Sequence, residues 1–171
     1  MECQITKYCK MVEPMLDKGR DIALLGLRLV LAYTFYAPAM MKWSDISSTA
    51  MWFESMGIPL PTLNAYMAAS TELAGAVLLT LGFATRFISI PLIVLLFVAI
   101  ATVHGVNGFN VMDDTKTWTD AYVNGEMVKG TLVYLQNGYE LVLYYILMLF
   151  TLLTTGAGKL SVDHFIGSRK S

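Results

Sequence analysis

Charge, cysteine and histidine are all scarce in this chain. Charged residues fill 15% of its 171 positions, against roughly 25% in an ordinary soluble domain, while the hydrophobic share is 56%. That balance excludes a disordered protein, which needs low hydrophobicity and high charge. Two cysteines, Cys3 and Cys9, are too few for a disulfide scaffold, and with no histidine or further cysteine nearby they lack a zinc spacing. A net charge of −1 carries no basic footprint for nucleic acid. What the chain has in excess is apolar residues, with a mean hydropathy of +0.56. The class that remains is a polytopic membrane protein, with the lipid bilayer as its first partner.

A membrane-crossing helix needs about 20 mostly apolar residues, because each rises 1.5 Å against a hydrocarbon core of about 30 Å. Four runs qualify. Ile22 to Met41 is interrupted by Arg28, and Leu63 to Phe83 by Glu72. Phe87 to Val103 holds no ionisable group before His104, and Asn137 to Thr155 carries Glu140 near its start. The expected fold is therefore all-α: a polytopic four-helix bundle over residues 22–156. Its spans lie at about 22–41, 63–83, 87–104 and 137–155, with a longer outward-facing loop between the third and fourth helices. Residues 1–21 form an N-terminal cytoplasmic segment and 157–171 a cytoplasmic tail. The short link Ala84–Arg86 makes spans two and three an antiparallel hairpin. Pro91 is expected in the first turn of span three, where proline costs least, and Gly105 as its C-terminal cap. The polar first twenty residues lack a secretory cleavage pattern, so span one is expected to be an uncleaved anchor.

Orientation follows from the basic residues beside the spans. Lys7, Lys10, Lys18, Arg20, Arg86, Lys159, Arg169 and Lys170 lie on one side, and Lys42, Lys116 and Lys129 on the other. Eight against three places both termini in the cytoplasm of an inner (plasma) membrane protein. The outward loop, residues 106–136, is then acidic through Asp113, Asp114, Asp120 and Glu126. Asn124–Gly125 between β-favouring residues signals a hairpin within it. The loop is either a small ordered cap or a docking surface for a partner.

Ionisable groups at membrane depth need a partner or a task. Arg28 lies about seven residues, and Glu72 about eleven, from the cytoplasmic ends of their spans, a depth difference of about 6 Å at the helical rise. The expectation is a buried Arg28–Glu72 pair that fixes helix register, or that builds a proton-linked or anion-binding site. Small residues around Glu72 (Ala65, Ala68, Ala69, Gly75, Ala76) favour close helix packing. A second group is expected on the outward side: His104 ends span three, Glu140 opens span four, and Asn107, Asn137, Lys42 and Tyr144 lie near them in depth. They form one outward-facing pocket or an interfacial belt. No metal site is expected, since two ligands such as His104 and Glu140 are too few for a tight one. Gly156-Ala-Gly-Lys159 is not a phosphate-binding loop of the Gly-x4-Gly-Lys-Ser/Thr type. The two histidines, His104 and His164, fall on opposite faces and exclude a bis-histidine haem.

In order and spacing, several stretches together resemble the DoxX family of small four-span membrane proteins. They are Leu27-Arg28-Leu29 with Met41-Lys42-Trp43; Glu72-Leu-Ala-Gly75 with Leu81-Gly82-Phe-Ala-Thr85-Arg86; Ala101-Thr-Val-His104 with Asn107-Gly108-Phe109; and Asn137-Gly-Tyr-Glu140 with Gly156-Ala-Gly-Lys159-Leu-Ser161-Val-Asp163. The His104 to Phe109 stretch looks most like the HvfX-like branch, which is associated with maturation of copper-binding modified peptides. The resemblance implies a redox-linked, quinone-associated membrane subunit, not necessarily catalytic itself, with no cofactor inside the chain and a protein partner carrying the redox centre. A non-enzymatic accessory protein for maturation or export of a copper-binding modified peptide is the alternative, and a small-solute carrier a third. A homo-oligomer is compatible with each.

Overall fold

A computed structural model describes residues 2–113, 119–123, 126–130, 134–135 and 138–168, and the side chains of 16–111 and 138–168. Helix α1 runs unbroken over Glu2–Ser44, followed by α2 (Ile46–Ser55), α3 (Pro61–Leu81) and α4 (Thr85–Ala99). The α4 helix continues through a π turn at Ile100–His104 and a 3-10 turn at Gly105–Asn107. Among the described residues, four short strands follow: β1 (Met112–Asp113), β2 (Thr119–Val123), β3 (Glu126–Gly130) and β4 (Tyr134–Leu135). Helices α5 (Glu140–Thr155) and α6 (Val162–Ser168) end the chain. The chain divides into two compact units, Met1–Leu95 with Leu147–Ser171, and Leu96–Ile146.

The fold is mainly helical, as its apolar runs predict, and among the described residues two helices are long and apolar enough to cross a membrane: Leu16–Ser44, 29 residues, and Thr85–Asn107, 23 residues. The second expected span forms a helix of 21 residues, but its polar content keeps it below that level of apolarity. The fourth forms a shorter apolar helix of 16 residues. The first differs at its start: α1 passes through residues 2–21 without a break, so the polar N-terminal segment is helical as well.

In the first unit, α1 and α3 supply complementary stripes. Arg28, Leu31, Ala32, Phe35 and Ala39 on α1 are buried, as are Ala65, Ala69, Glu72, Ala76 and Leu79 on α3, both at helical spacing. Alanine and glycine on α3 bring its neighbours close. A Cβ at Gly75 would stand 2.8 Å from the Leu92 methyls of α4, so only glycine fits there without a shift. Leu92, Leu149 and Leu152 are fully buried. The opposite faces are apolar too: Val30, Tyr33, Phe87, Val94 and Phe150 are exposed. Side chains of this kind facing outward on long helices fit hydrocarbon better than water.

Turn chemistry fixes the ends of α2, α3 and α4. Asp45 caps α2, its carboxylate accepting the Ser48 N–H at 2.9 Å and the Ser48 hydroxyl at 2.6 Å. Those bonds hold the Asp45 carboxyl below the usual carboxylate range. Helix α2 packs Ala50 and Phe53 on Ala65 of α3. Pro61 takes the first position of α3, and Gly82, at φ 65°, ends it. Pro91 lies inside α4 rather than in its first turn, because that helix begins at Thr85.

In the second unit, Gly105 is the C-cap residue of the π turn, but not as a left-handed glycine. It stays right-handed, and its N–H reaches back five residues to the Ile100 carbonyl to close the π turn. The positive-φ glycine that ends the helix is Gly108, at φ 78°. Strands β2 and β3 pair antiparallel with Val123 opposite Glu126, and β1 pairs with β4 through Met112 and Leu135. The hairpin signal Asn124–Gly125 lies outside the described residues, between β2 and β3.

Candidate functional site

Two buried charge centres sit on the α1–α3 frame. In the first, the Lys42 ammonium donates to both Glu72 carboxylate oxygens, at 2.7 and 2.9 Å, with side-chain exposures of 12% and 6%. The second is built around Arg28, which is 0% exposed. Its Nη2 donates to the Leu160 carbonyl at 2.5 Å, and Asp163 lends it a neighbouring negative charge. Arg28 Nε and Nη1 have no hydrogen-bond partner among the described residues.

The expected Arg28–Glu72 pair is therefore not formed, and the reason is register. The Arg28 guanidinium lies against Gly82, where a Cβ would collide with Nη1. Glu72 is ten residues back along α3, about 15 Å at 1.5 Å per residue, beyond an arginine's reach. Antiparallel alignment puts residue 38 of α1 level with Glu72. Lys42 is one turn past that level, and helical side chains lean toward the N-terminus of their own helix. Its stem therefore covers the remaining turn back to the carboxylate. Lys42, expected among the outward-facing pocket residues, is thus engaged by Glu72.

Asp163 was missed from sequence, and it ties the Arg28 centre together. Its carboxylate accepts the Ala84 N–H at 2.8 Å and the Thr85 N–H at 3.1 Å, capping α4. Its own N–H donates to the Gly82 carbonyl at 3.0 Å. A negative charge at a helix N-terminus is favoured by the aligned peptide dipoles. Nearby, Asp21 accepts the Lys159 N–H at 3.1 Å, and Arg86 Nη2 donates to the carbonyls of Thr154 and Thr155 at the end of α5. The tail sequence Gly156 to Asp163 is thus clasped onto α1 and the start of α4. Asp163 was readable as a cap only once the adjacent helix start was known.

The remaining expected residues lie in the second unit. Glu140 opens α5; its carboxylate accepts the Tyr144 hydroxyl at 2.7 Å and the Val111 N–H at 3.4 Å. This brings two members of the expected pocket together. The loop is held from both sides, with Tyr139 N–H on the Gly108 carbonyl at 3.1 Å and Glu140 N–H on the Phe109 carbonyl at 3.0 Å. His104 ends the π turn and Asn107 the 3-10 turn, both half-buried. Asn137 lies outside the described residues. Among the described residues, no three His, Cys, Asp or Glu side chains gather as metal ligands do.

An apolar cleft of about 400 Å³ runs along α1 and α3 between the two charge centres, lined by Leu29, Tyr33 and Tyr36 on one side and by Ala76, Thr80 and Leu81 on the other. A second pocket, of about 680 Å³, lies beside the clasped tail and is lined by Arg20, Asp21, Arg86, Lys159, Asp163 and His164 among others.

Residues 23–105 match the DoxX family model. That segment carries Arg28, Lys42, Glu72, Gly82 and His104. The chain is 32% identical over 168 residues to an uncharacterized protein of Haemophilus influenzae, covering 94% of this chain and 91% of that one. It is 34% identical over 88 residues to the Bacillus subtilis protein named "Putative oxidoreductase CatD", across 52% of this chain and 64% of that one. Over 68 residues it is 32% identical to "Inner membrane protein YphA" of Escherichia coli, across 40% and 49% of the two chains. No solved structure matches. With two helices among the described residues fit to cross a membrane, and with Arg28, Lys42 and Glu72 inside the matched segment, this membrane protein carries a DoxX family domain over residues 23–105.

Proposed function

We propose that the chain is a four-span inner-membrane protein with both termini in the cytoplasm, acting as a redox-linked subunit that binds quinone. The observation that carries the reading is the Lys42–Glu72 pair. Ionisable groups this deep on apolar helices mark ion or proton pathways. The cleft beside it suits a quinone: it is apolar, it faces outward on helices of membrane-crossing length, and Ala76 on its wall is one turn from Glu72. Reduction of a quinone to a quinol takes two electrons and two protons. In this reading the electrons come from a flavin or metal centre on a partner protein, and Glu72 relays the protons. The name of the Bacillus relative supports an oxidoreductase setting, and that of the Escherichia relative supports the inner membrane.

The test is quinone content. Protein purified from membranes in mild detergent should carry extractable quinone at close to one per chain. Ala76→Phe, which fills the cleft, should remove it while the protein stays monodisperse. Equal quinone in both proteins, or none in the unmodified one, overturns the reading.

The β2–β3 hairpin favours a second reading, that of an accessory protein of the HvfX-like branch serving a copper-binding modified peptide. A paired hairpin in a long connection suits the docking of a partner. Deleting residues 119–130 should then abolish peptide maturation and leave quinone content unchanged.

A further inference from the structure

The pocket beside the clasped tail lies where apolar segments end. Arg20 and Asp21 precede Ile22 on α1, Arg86 precedes Phe87 on α4, and Lys159 follows Thr155, the last residue of α5. In a membrane this is headgroup depth. Three permanent cations line the pocket, Arg20, Arg86 and Lys159, with His164 beside them. Two carboxylates line it as well, but both are engaged: Asp163 caps α4, and Asp21 holds the Lys159 N–H and stands 3.9 Å from its ammonium. Arg86 is held in place by the α5 carbonyls through Nη2 and rests on Gly156, where a Cβ would stand 3.3 Å from Nε. Among the described residues, no other atom of its guanidinium is engaged, which leaves donors of a planar fork for an incoming oxyanion. Around the pocket, Phe87, Leu160, Phe165 and Ile166 are exposed apolar side chains.

We infer that this pocket binds the phosphate of an anionic phospholipid, held by Arg86 and Lys159, with the acyl chains lying on Phe87 and the apolar side chains of α6. Charge and depth select this ligand together. A soluble phosphate would meet the same cations but would leave the apolar rim uncovered, whereas a lipid covers both. The inference is independent of the quinone reading, because it uses other residues at another depth.

The experiment is native mass spectrometry of the full-length protein in micelles, titrated with phosphatidylglycerol or with phosphatidylcholine. One phosphatidylglycerol should be retained per chain, in preference to phosphatidylcholine. Lys159→Gln should weaken retention roughly five-fold, since a basic side chain at the membrane surface contributes about 1 kcal/mol toward anionic lipid. That side chain is largely exposed, and its backbone bond to Asp21 survives the change. Arg86→Gln should do at least as much, and Arg86→Lys should recover part of the loss. Equal retention of the two lipids, or no change in Lys159→Gln, overturns the inference. So does displacement of phosphatidylglycerol by millimolar inorganic phosphate, which identifies a free-phosphate site instead.

Discussion

The two buried charge centres solve the same problem in different ways. Lys42 and Glu72 answer each other directly, one ammonium across both oxygens of one carboxylate. Arg28 has no such single partner. It is held by a carbonyl of the tail and lies near the charge of a carboxylate that is itself busy capping α4, with two of its nitrogens unmatched among the described residues. A mutual pair is strong while intact and costly when halved, because the survivor is stranded in an apolar setting. A distributed cation degrades gradually, because Asp163 keeps its bonds to Ala84 and Thr85.

The largest expected effect follows from that contrast. Lys42→Met should cost about 3–5 kcal/mol, the range for halving a buried pair, since Glu72 has no other donor among the described residues. Adding Glu72→Leu should restore much of the loss. Arg28→Met should cost less, because Asp163 keeps the Ala84 and Thr85 N–H groups and only the Leu160 carbonyl loses a donor. Thermal unfolding in detergent across the double cycles measures this. A large coupling between Arg28 and Glu72, with none between Lys42 and Glu72, would reverse the assignment.

What could be read from the sequence divides along the same line. The helices over the apolar runs, the buried stripe on α3 and the burial of charge on α1 and α3 all follow from composition and spacing, and they stand in the structure. The pairing does not follow, because it depends on the register between α1 and α3, which Gly82 sets by admitting the Arg28 guanidinium. Counting depth from run ends misplaced Glu72 by several residues and turned a lysine that leans back along its own helix into an interfacial one. Helix α2 and the clasp at Asp163 escaped for another reason: short capped elements have too few apolar residues to show a period.

A mid-sized effect tests that register. Gly82→Ala should cost at least about 1–2 kcal/mol for the left-handed backbone alone, and more because the new methyl must displace the Arg28 guanidinium. Combining it with Arg28→Ala should remove the steric share and leave the backbone share. The double variant should therefore be less destabilised than the sum of the singles, by the same unfolding assay. Strict additivity would show that the guanidinium does not rest on Gly82.

The smallest effect belongs to the exposed carboxylate that contrasts with Glu72. Asp45 is open to solvent and is satisfied locally by the Ser48 hydroxyl and N–H. Those bonds favour its charged form, so its folded pKa lies below the unfolded value of about 3.9. The sign follows: its contribution is fully present above the unfolded value and is lost as pH falls through the folded one. Asp45→Asn keeps a side-chain oxygen for the cap but cannot titrate. Stability measured from pH 6 down to pH 2 should therefore show the unmodified protein converging on the variant only at the acid end, while every other carboxylate titrates alike in both. Since the group is exposed, the difference should also shrink as salt is raised. A constant gap between the two proteins over the whole acid range would mean that the cap works through the oxygen alone and that its charge contributes nothing.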